Sequence, residues 1–224
     1  MTEHAPSAEE REKFAAEAAK LRYEATTARC AAETAELALA TARHDAALRR
    51  SADSWHKVFH FEARVQSTLA FREELAKEDR IDPDADWTVV INSPGGSVID
   101  GMALFDDLVA YSRRGGGRHR LTIKARGYAA SMAGILLQAA DHRVCGPESY
   151  ILVHEVASMT AGKIGDIEDE VKLLKMMSDR VVDIFVERSG GKISRRTFIS
   201  KWRRTDWWLD SKAALRFGLV DAVA

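Results

Sequence analysis

Small apolar and charged residues alternate through the first part of the chain, with no Gly or Pro between Ser7 and Ala52. Phe14, Ala18, Leu21, Ala25, Ala28, Ala32, Ala35, Leu39, Ala42 and Ala46 recur at alternating steps of four and three. That spacing keeps one stripe of a helix turned towards a partner. Ser7 with Glu10 three positions later is a capping-box pattern that starts such a helix. The expectation is one long helix in a coiled coil or helical hairpin, competing with a solvated single helix because an alanine seam buries little area.

Beyond residue 52 the pattern changes to apolar strands alternating with amphipathic helices. Val58–Phe61 reads as a strand, Arg64–Lys77 as a helix with Val65, Leu69, Phe71 and Leu75 inward, and Trp87–Asn92 as a second strand broken by Ser93-Pro94-Gly95-Gly96. A helix follows over Val98–Ser112, then a strand over Leu121–Ala125 and an apolar helix from Ser131 to about Ala140. Tyr150–Val153 is a further strand. Ile164–Glu187 is a long helix with Ile164, Ile167, Val171, Leu174, Met177, Val181 and Phe185 on one face, and Ser211–Phe217 a last helix stopped by Gly218. Elements in this order predict an α/β domain with largely parallel pairing over 55–224, carried behind a helical arm over 1–54.

Composition narrows the setting. With 46% hydrophobic and 30% charged residues the chain suits a globular fold, and its net charge of −1 points to neither nucleic acid nor membrane as partner. Cys30 and Cys145 lie far apart without metal-ligand spacing, the polar N-terminus is unlike a secretory signal, and no apolar run reaches bilayer length. A cytoplasmic protein is expected.

The candidate chemistry lies at the strand ends. In Gly127-Tyr128-Ala129-Ala130-Ser131-Met132-Ala133 a small-residue turn joins a strand to a buried helix, placing the Ser131 hydroxyl at a helix start, as in a nucleophile elbow. The alternative is that Ser131 only caps its helix. Gly95 and Gly96 permit positive φ and close approach of another chain, so an N–H there, with that of Met132, would form an oxyanion hole. Ser93 and Ser97 are rival nucleophiles. His154 ends a strand, where site residues gather in open α/β sheets. His142 is its competitor and reads as a surface turn; the other histidines fall in the arm, in charged loops or beside the first strand. Asp210 reads as an N-cap, leaving Asp206 without a structural role and flanked by Trp207 and Trp208, bulky enough to bury it; the alternative is a surface aspartate.

The strings INSPGGSVIDGM, GYAASMAG, ILVHE and DWWLDSKAALRFGLVD resemble, in order and near spacing, the Clp proteolytic subunit family, from about Val58 onward. The resemblance implies a crotonase-like α/β fold, a ring-shaped homo-oligomer and a serine peptidase acting on protein or peptide substrates with neither metal nor cofactor. It carries the nucleophile onto Ser131, the base onto His154, the orienting aspartate onto Asp206, the oxyanion donors onto Gly96 and Met132, and substrate contacts onto Gly95, Ser97 and Val98. The helix at Ile164–Glu187 falls on the family's handle, which joins rings.

The alanine-rich arm replaces the family's short segment near the docking site of an AAA+ unfoldase. The combination looks more like the Clp-like head-maturation proteases of tailed phages, with the arm directed at a scaffold or capsid protein. A housekeeping peptidase fed by an unfoldase, a crotonase-type acyl-CoA enzyme and an inactive structural relative are the rival readings.

Overall fold

With no helix breaker in its way, the N-terminal stretch folds as one helix of 46 residues, α1 (Ala8–Asp53). The computed structural model of the chain describes residues 8–53 and 56–224, with side chains along α1 described in part. Ser7 of the expected capping box and Phe14, Ala18, Ala42 and Ala46 of the stripe lie outside the described residues or side chains, as does the boundary drawn at 54/55. The described stripe residues, including Leu21 and Leu39, are exposed. Local support comes from pairs one turn apart, Lys20–Glu24 at 3.9 Å and Arg29–Glu33 at 3.0 Å. The chain from His56 onward belongs to a second compact unit.

That unit is built on a seven-stranded sheet. Its strands are β1 (His56–Phe61), β2 (Asp86–Ser93), β3 (Leu121–Ala130), β4 (His142–Cys145), β5 (Tyr150–Val153), β6 (Trp207–Asp210) and β7 (Ala222–Val223). The helices are α2 (Leu69–Ile81), α3 (Val98–Tyr111), α4 (Met132–Leu137), α5 (Ile164–Arg188), α6 (Arg195–Trp202) and α7 (Ser211–Arg216). Trp87, Val89, Ile91, Leu121, Ile123 and Ala125 are buried, as central strands require. Pairing is parallel along β1-β2-β3-β4-β7.

Strand β3 forks. Its first half, Thr122–Ala125, pairs with β4, and its second half, Tyr128–Ala130, with β5. At the fork Gly127 has φ +77, and a Cβ there would lie 2.7 Å from Asn92 Oδ1. Strand β6 then joins β5 antiparallel, the exception to the parallel plan.

The C-terminal strand is tied in by Arg143, only 4% exposed. Its guanidinium pairs with both carboxylate oxygens of Asp221, and Nη1 donates to Gln138 Oε1 at 2.7 Å and Gly218 O at 2.9 Å. Burial alone would raise Asp221, but the hydrogen bonds and charge of Arg143 outweigh it and hold the carboxyl below its usual range.

Several sequence expectations are corrected. The helix expected from Arg64 begins at Leu69, because Val65 spends its backbone on a bridge to Gly96 and Ser67 turns with φ +43. Leu69 is exposed, while Val65 and Leu75 are fully buried. His142 is no surface turn but opens β4, its neighbour Arg143 being held by Asp221. His119 is not in a charged loop. It is buried against Trp87, ring centroids 3.7 Å apart, with Nδ1 at 2.8 Å from Ala85 O and Nε2 at 3.0 Å from Asp79 Oδ1; partners for both nitrogens permit that burial. On α5 the apolar stripe is buried only at its C-terminal end, at Val181 and Phe185, while Ile164, Ile167 and Val171 stand exposed. Helix α6, capped by Ser194 accepting from Thr197 N–H, drives Phe198 and Trp202 into the core.

Candidate active site

Ser131 occupies the turn between β3 and α4 with φ +56 and ψ −124. A left-handed φ on a non-glycine residue costs on the order of 1–3 kcal/mol and persists only where the surroundings impose it. Here the Ser131 N–H donates to Leu152 O at 2.9 Å and its carbonyl accepts from Gly134 N–H at 3.0 Å. The hydroxyl makes no capping hydrogen bond to α4, so the simple cap alternative fails. The rival serines are employed elsewhere: buried Ser93 donates to Ala63 O, and the Ser97 hydroxyl caps α3 by accepting from Asp100 N–H.

The glycine loop presses directly on this elbow. Gly95 has φ +83, and a Cβ on it would lie 2.5 Å from Ala130 O and 2.8 Å from both Met132 N and Ser131 Cβ. The loop is pinned from the other side by Val65, whose N–H donates to Gly95 O at 2.9 Å and whose carbonyl accepts from Ser97 N–H at 2.6 Å. Among the described residues no backbone carbonyl outside regular helix and strand pairing accepts from Gly96 N–H or Met132 N–H. Val98, the first residue of α3, follows Ser97 half-buried.

Sheet register brings the remaining candidates to the same edge. Ala130 pairs with Leu152 in β5, so the parallel ladder sets Ser131 beside the end of β5, where His154 follows Val153. Val153 pairs with Trp207 across the antiparallel β5–β6 ladder, and one further step along it sets His154 opposite Asp206. His154 and Asp206 line a common cavity of about 550 Å³. Glu155 ties its rim by accepting from Arg204 N–H at 2.8 Å, with Arg204 in the left-handed region at φ +59.

Among the described residues no hydrogen bond joins the Ser131 hydroxyl, the His154 ring and the Asp206 carboxylate. Asp206 is exposed, not buried as its flanking tryptophans suggested. Trp207 turns inward onto Phe198 and Phe217, and Trp208 is 53% exposed. Asp210 does cap α7, accepting from Ala213 N–H at 2.7 Å. Sequence reasoning missed Glu155 and Arg204; the signal was a carboxylate directly after the strand-ending histidine.

Residues 56–224 match the family model for Clp protease. The chain is 29% identical over 154 residues to the ATP-dependent Clp protease proteolytic subunit of Bacteroides fragilis, covering 67% of this chain and 69% of that protein. It is 28% identical over 183 residues to the ATP-dependent Clp protease proteolytic subunit 1 of Chlamydia trachomatis, covering 80% and 91%.

Proposed function

The chain belongs to the Clp protease family and is a serine-type peptidase, and from that premise we propose that Ser131, His154 and Asp206 are its catalytic triad. The observation carrying this assignment is the strained Ser131 turn, with its hydroxyl released from capping and Gly95 packed against it. His154 takes the Ser131 proton as Oγ attacks the scissile carbonyl, then delivers it to the leaving amine. Asp206 orients the imidazole and stabilises its protonated form. The N–H groups of Gly96 and Met132 receive the oxyanion, and water releases the acyl-enzyme. Gly95, Ser97 and Val98 line the extended substrate, since the backbone of Gly95 sits beside the nucleophile. In the resting protomer the triad is unlinked, and closure of its hydrogen bonds is assigned to assembly or substrate.

The test is fluorophosphonate labelling with the modified residue read by mass spectrometry. Modification at Ser131, lost in Ser131→Ala, is expected; labelling elsewhere, or none on a verified oligomer, overturns the assignment.

We read the domain as crotonase-like, assembling into rings as other members of the family do, and the chain as a prohead maturation protease acting in the host cytoplasm. Support for that setting is α1, which lies outside the matched residues and exposes Leu21 and Leu39 at coiled-coil spacing, a surface suited to scaffold or capsid helices. Co-assembly with scaffold that survives deletion of the arm would remove this role. The relatives' description as subunits of an ATP-dependent protease favours a second reading, a peptidase fed by an AAA+ unfoldase. ATP-stimulated degradation of a folded protein in the presence of such a partner would select it.

A further inference from the structure

The cavity shared by His154 and Asp206 has a larger neighbour. Glu155, Val156 and Arg204 also line a larger cleft of about 1080 Å³ between α5 and α6, so the two adjoin along a shared wall. The cleft is large enough to hold several residues of a polypeptide. Its floor is apolar, with Leu174, Ile199 and Trp202, and the buried Trp202 indole N–H finds no acceptor among the described residues.

Its rim is cationic. Lys175, Arg196, Arg203 and Arg204 line it and are exposed, and among the described residues none makes a side-chain ion pair. The acids on the rim, Glu155 and Asp179, are fewer than the cations. Asp179 pairs with Arg195 at 2.9 Å, and Glu155 accepts from Arg204 N–H. A concave surface with an excess of positive charge over an apolar floor concentrates polyanionic segments and leaves neutral or basic ones at a disadvantage.

We propose that this cleft is a specificity subsite that recognises acidic residues of the substrate polypeptide flanking the scissile bond. The inference rests on the triad assignment, since it takes its direction from the site at His154 and Asp206. A peptide leaving that site along the cleft runs its apolar side chains over Leu174 and Ile199 while its carboxylates meet Arg196, Arg203 and Lys175. The selection is electrostatic, so it acts on encounter and binding and is weakened by salt.

The test uses the full chain and quenched fluorescent peptides that share one scissile core and differ only in a flanking block of Glu, Gln or Lys, placed on either side. At about 0.05 M salt the Glu peptide is expected to exceed its Gln twin in kcat/KM by about tenfold, the combined effect of a few exposed ion pairs, with the change carried by KM. At about 0.5 M salt the two should converge to within about twofold. A Lys175→Gln, Arg196→Gln double variant should lose the preference while keeping wild-type hydrolysis of the Gln peptide and wild-type fluorophosphonate labelling. Equal rates for the Glu and Gln peptides on enzyme that labels at Ser131 would overturn the subsite and leave the triad standing. Failure of Ser131 to label would overturn both. If the double variant instead changes its sedimentation and lowers all peptides alike, the cleft is an interface receiving the acidic segment Asp166–Glu170 of a second copy, and the subsite is refuted.

Discussion

Replacing Gly95 by alanine separates the role of the glycine loop from the stability of the fold. The new methyl carbon would stand 2.5 Å from Ala130 O and 2.8 Å from Met132 N, whereas ordinary contact begins at 3.4 Å, so a displacement of up to about 0.9 Å is required. The obstructing atoms are backbone, and the elbow is tied to β5 through Ser131 N–H and Leu152 O. The loop therefore yields and displaces the neighbouring Gly96 N–H, the proposed oxyanion donor. A shift of that size at a reacting centre costs about 10²-fold in rate, and loss of one oxyanion donor about 10²–10³-fold. The stability effect is smaller. An L-residue at φ +83 costs roughly 1–2 kcal/mol, which lowers the Tm of a domain this size by about 2–8 °C. The assay is the second-order rate of fluorophosphonate labelling at Ser131, measured beside a thermal melt. Labelling within about threefold of wild type, on a variant whose melt shows the expected strain, would refute the assignment of this loop to the oxyanion hole. Gly96→Ala reaches the same end from the other face, its Cβ falling 2.3 Å from Val65 O, and should show a comparable loss.

Arg143→Ala should destabilise the domain by about 3 kcal/mol, the lower end for breaking a buried ion pair because Asp221 keeps a third of its side chain in solvent; urea midpoints measure it. Because the folded Asp221 carboxyl lies below its unfolded value of about 3.9, its contribution is full above about pH 4 and is lost as pH falls further; Asp221→Asn should flatten that acid limb in a pH series of melts. Burial pushes the Cys145 thiol up to about 11, so a thiol reagent at pH 8 should modify exposed Cys30 alone until the protein is unfolded, as peptide mapping will show. Arg204→Gly relieves the left-handed strain at φ +59 and should raise stability by up to about 1 kcal/mol, while raising KM for acidic peptides if the cleft acts as proposed; a melt and a peptide titration read the two effects separately.

The sequence carried the strand-turn-helix geometry at Ser131 and the loop at Gly95 and Gly96 because both depend on local rules: a buried strand, small residues and a helix start. It carried Asp210 as a cap for the same reason. Elements defined by distant partners were less legible. Strand β4 contains a polar His142-Arg143 pair that looks superficial until Asp221, far along the chain, neutralises the arginine. His119 looks like loop until Asp79 and Ala85 satisfy both ring nitrogens. Helix α6 is too short and too basic for periodicity to reveal; its inward residues are defined by Phe185 and Trp207. Asp206 was misjudged because adjacent tryptophans on a strand edge point to opposite faces.

The forked β3 divides labour within the site. A strand shared by both branches of the sheet is the last to open, so the elbow at its end inherits the lifetime of the whole core and should be among the slowest regions to exchange its amide protons. His154 and Asp206 hang instead from the four-residue strands β5 and β6. Under the proposed triad, the serine is thus set on the deeply anchored strand and the histidine and aspartate on the short strands at its edge. The β6 edge, held to the sheet through β5 alone, should therefore exchange its amide protons well before the Ser131 elbow does.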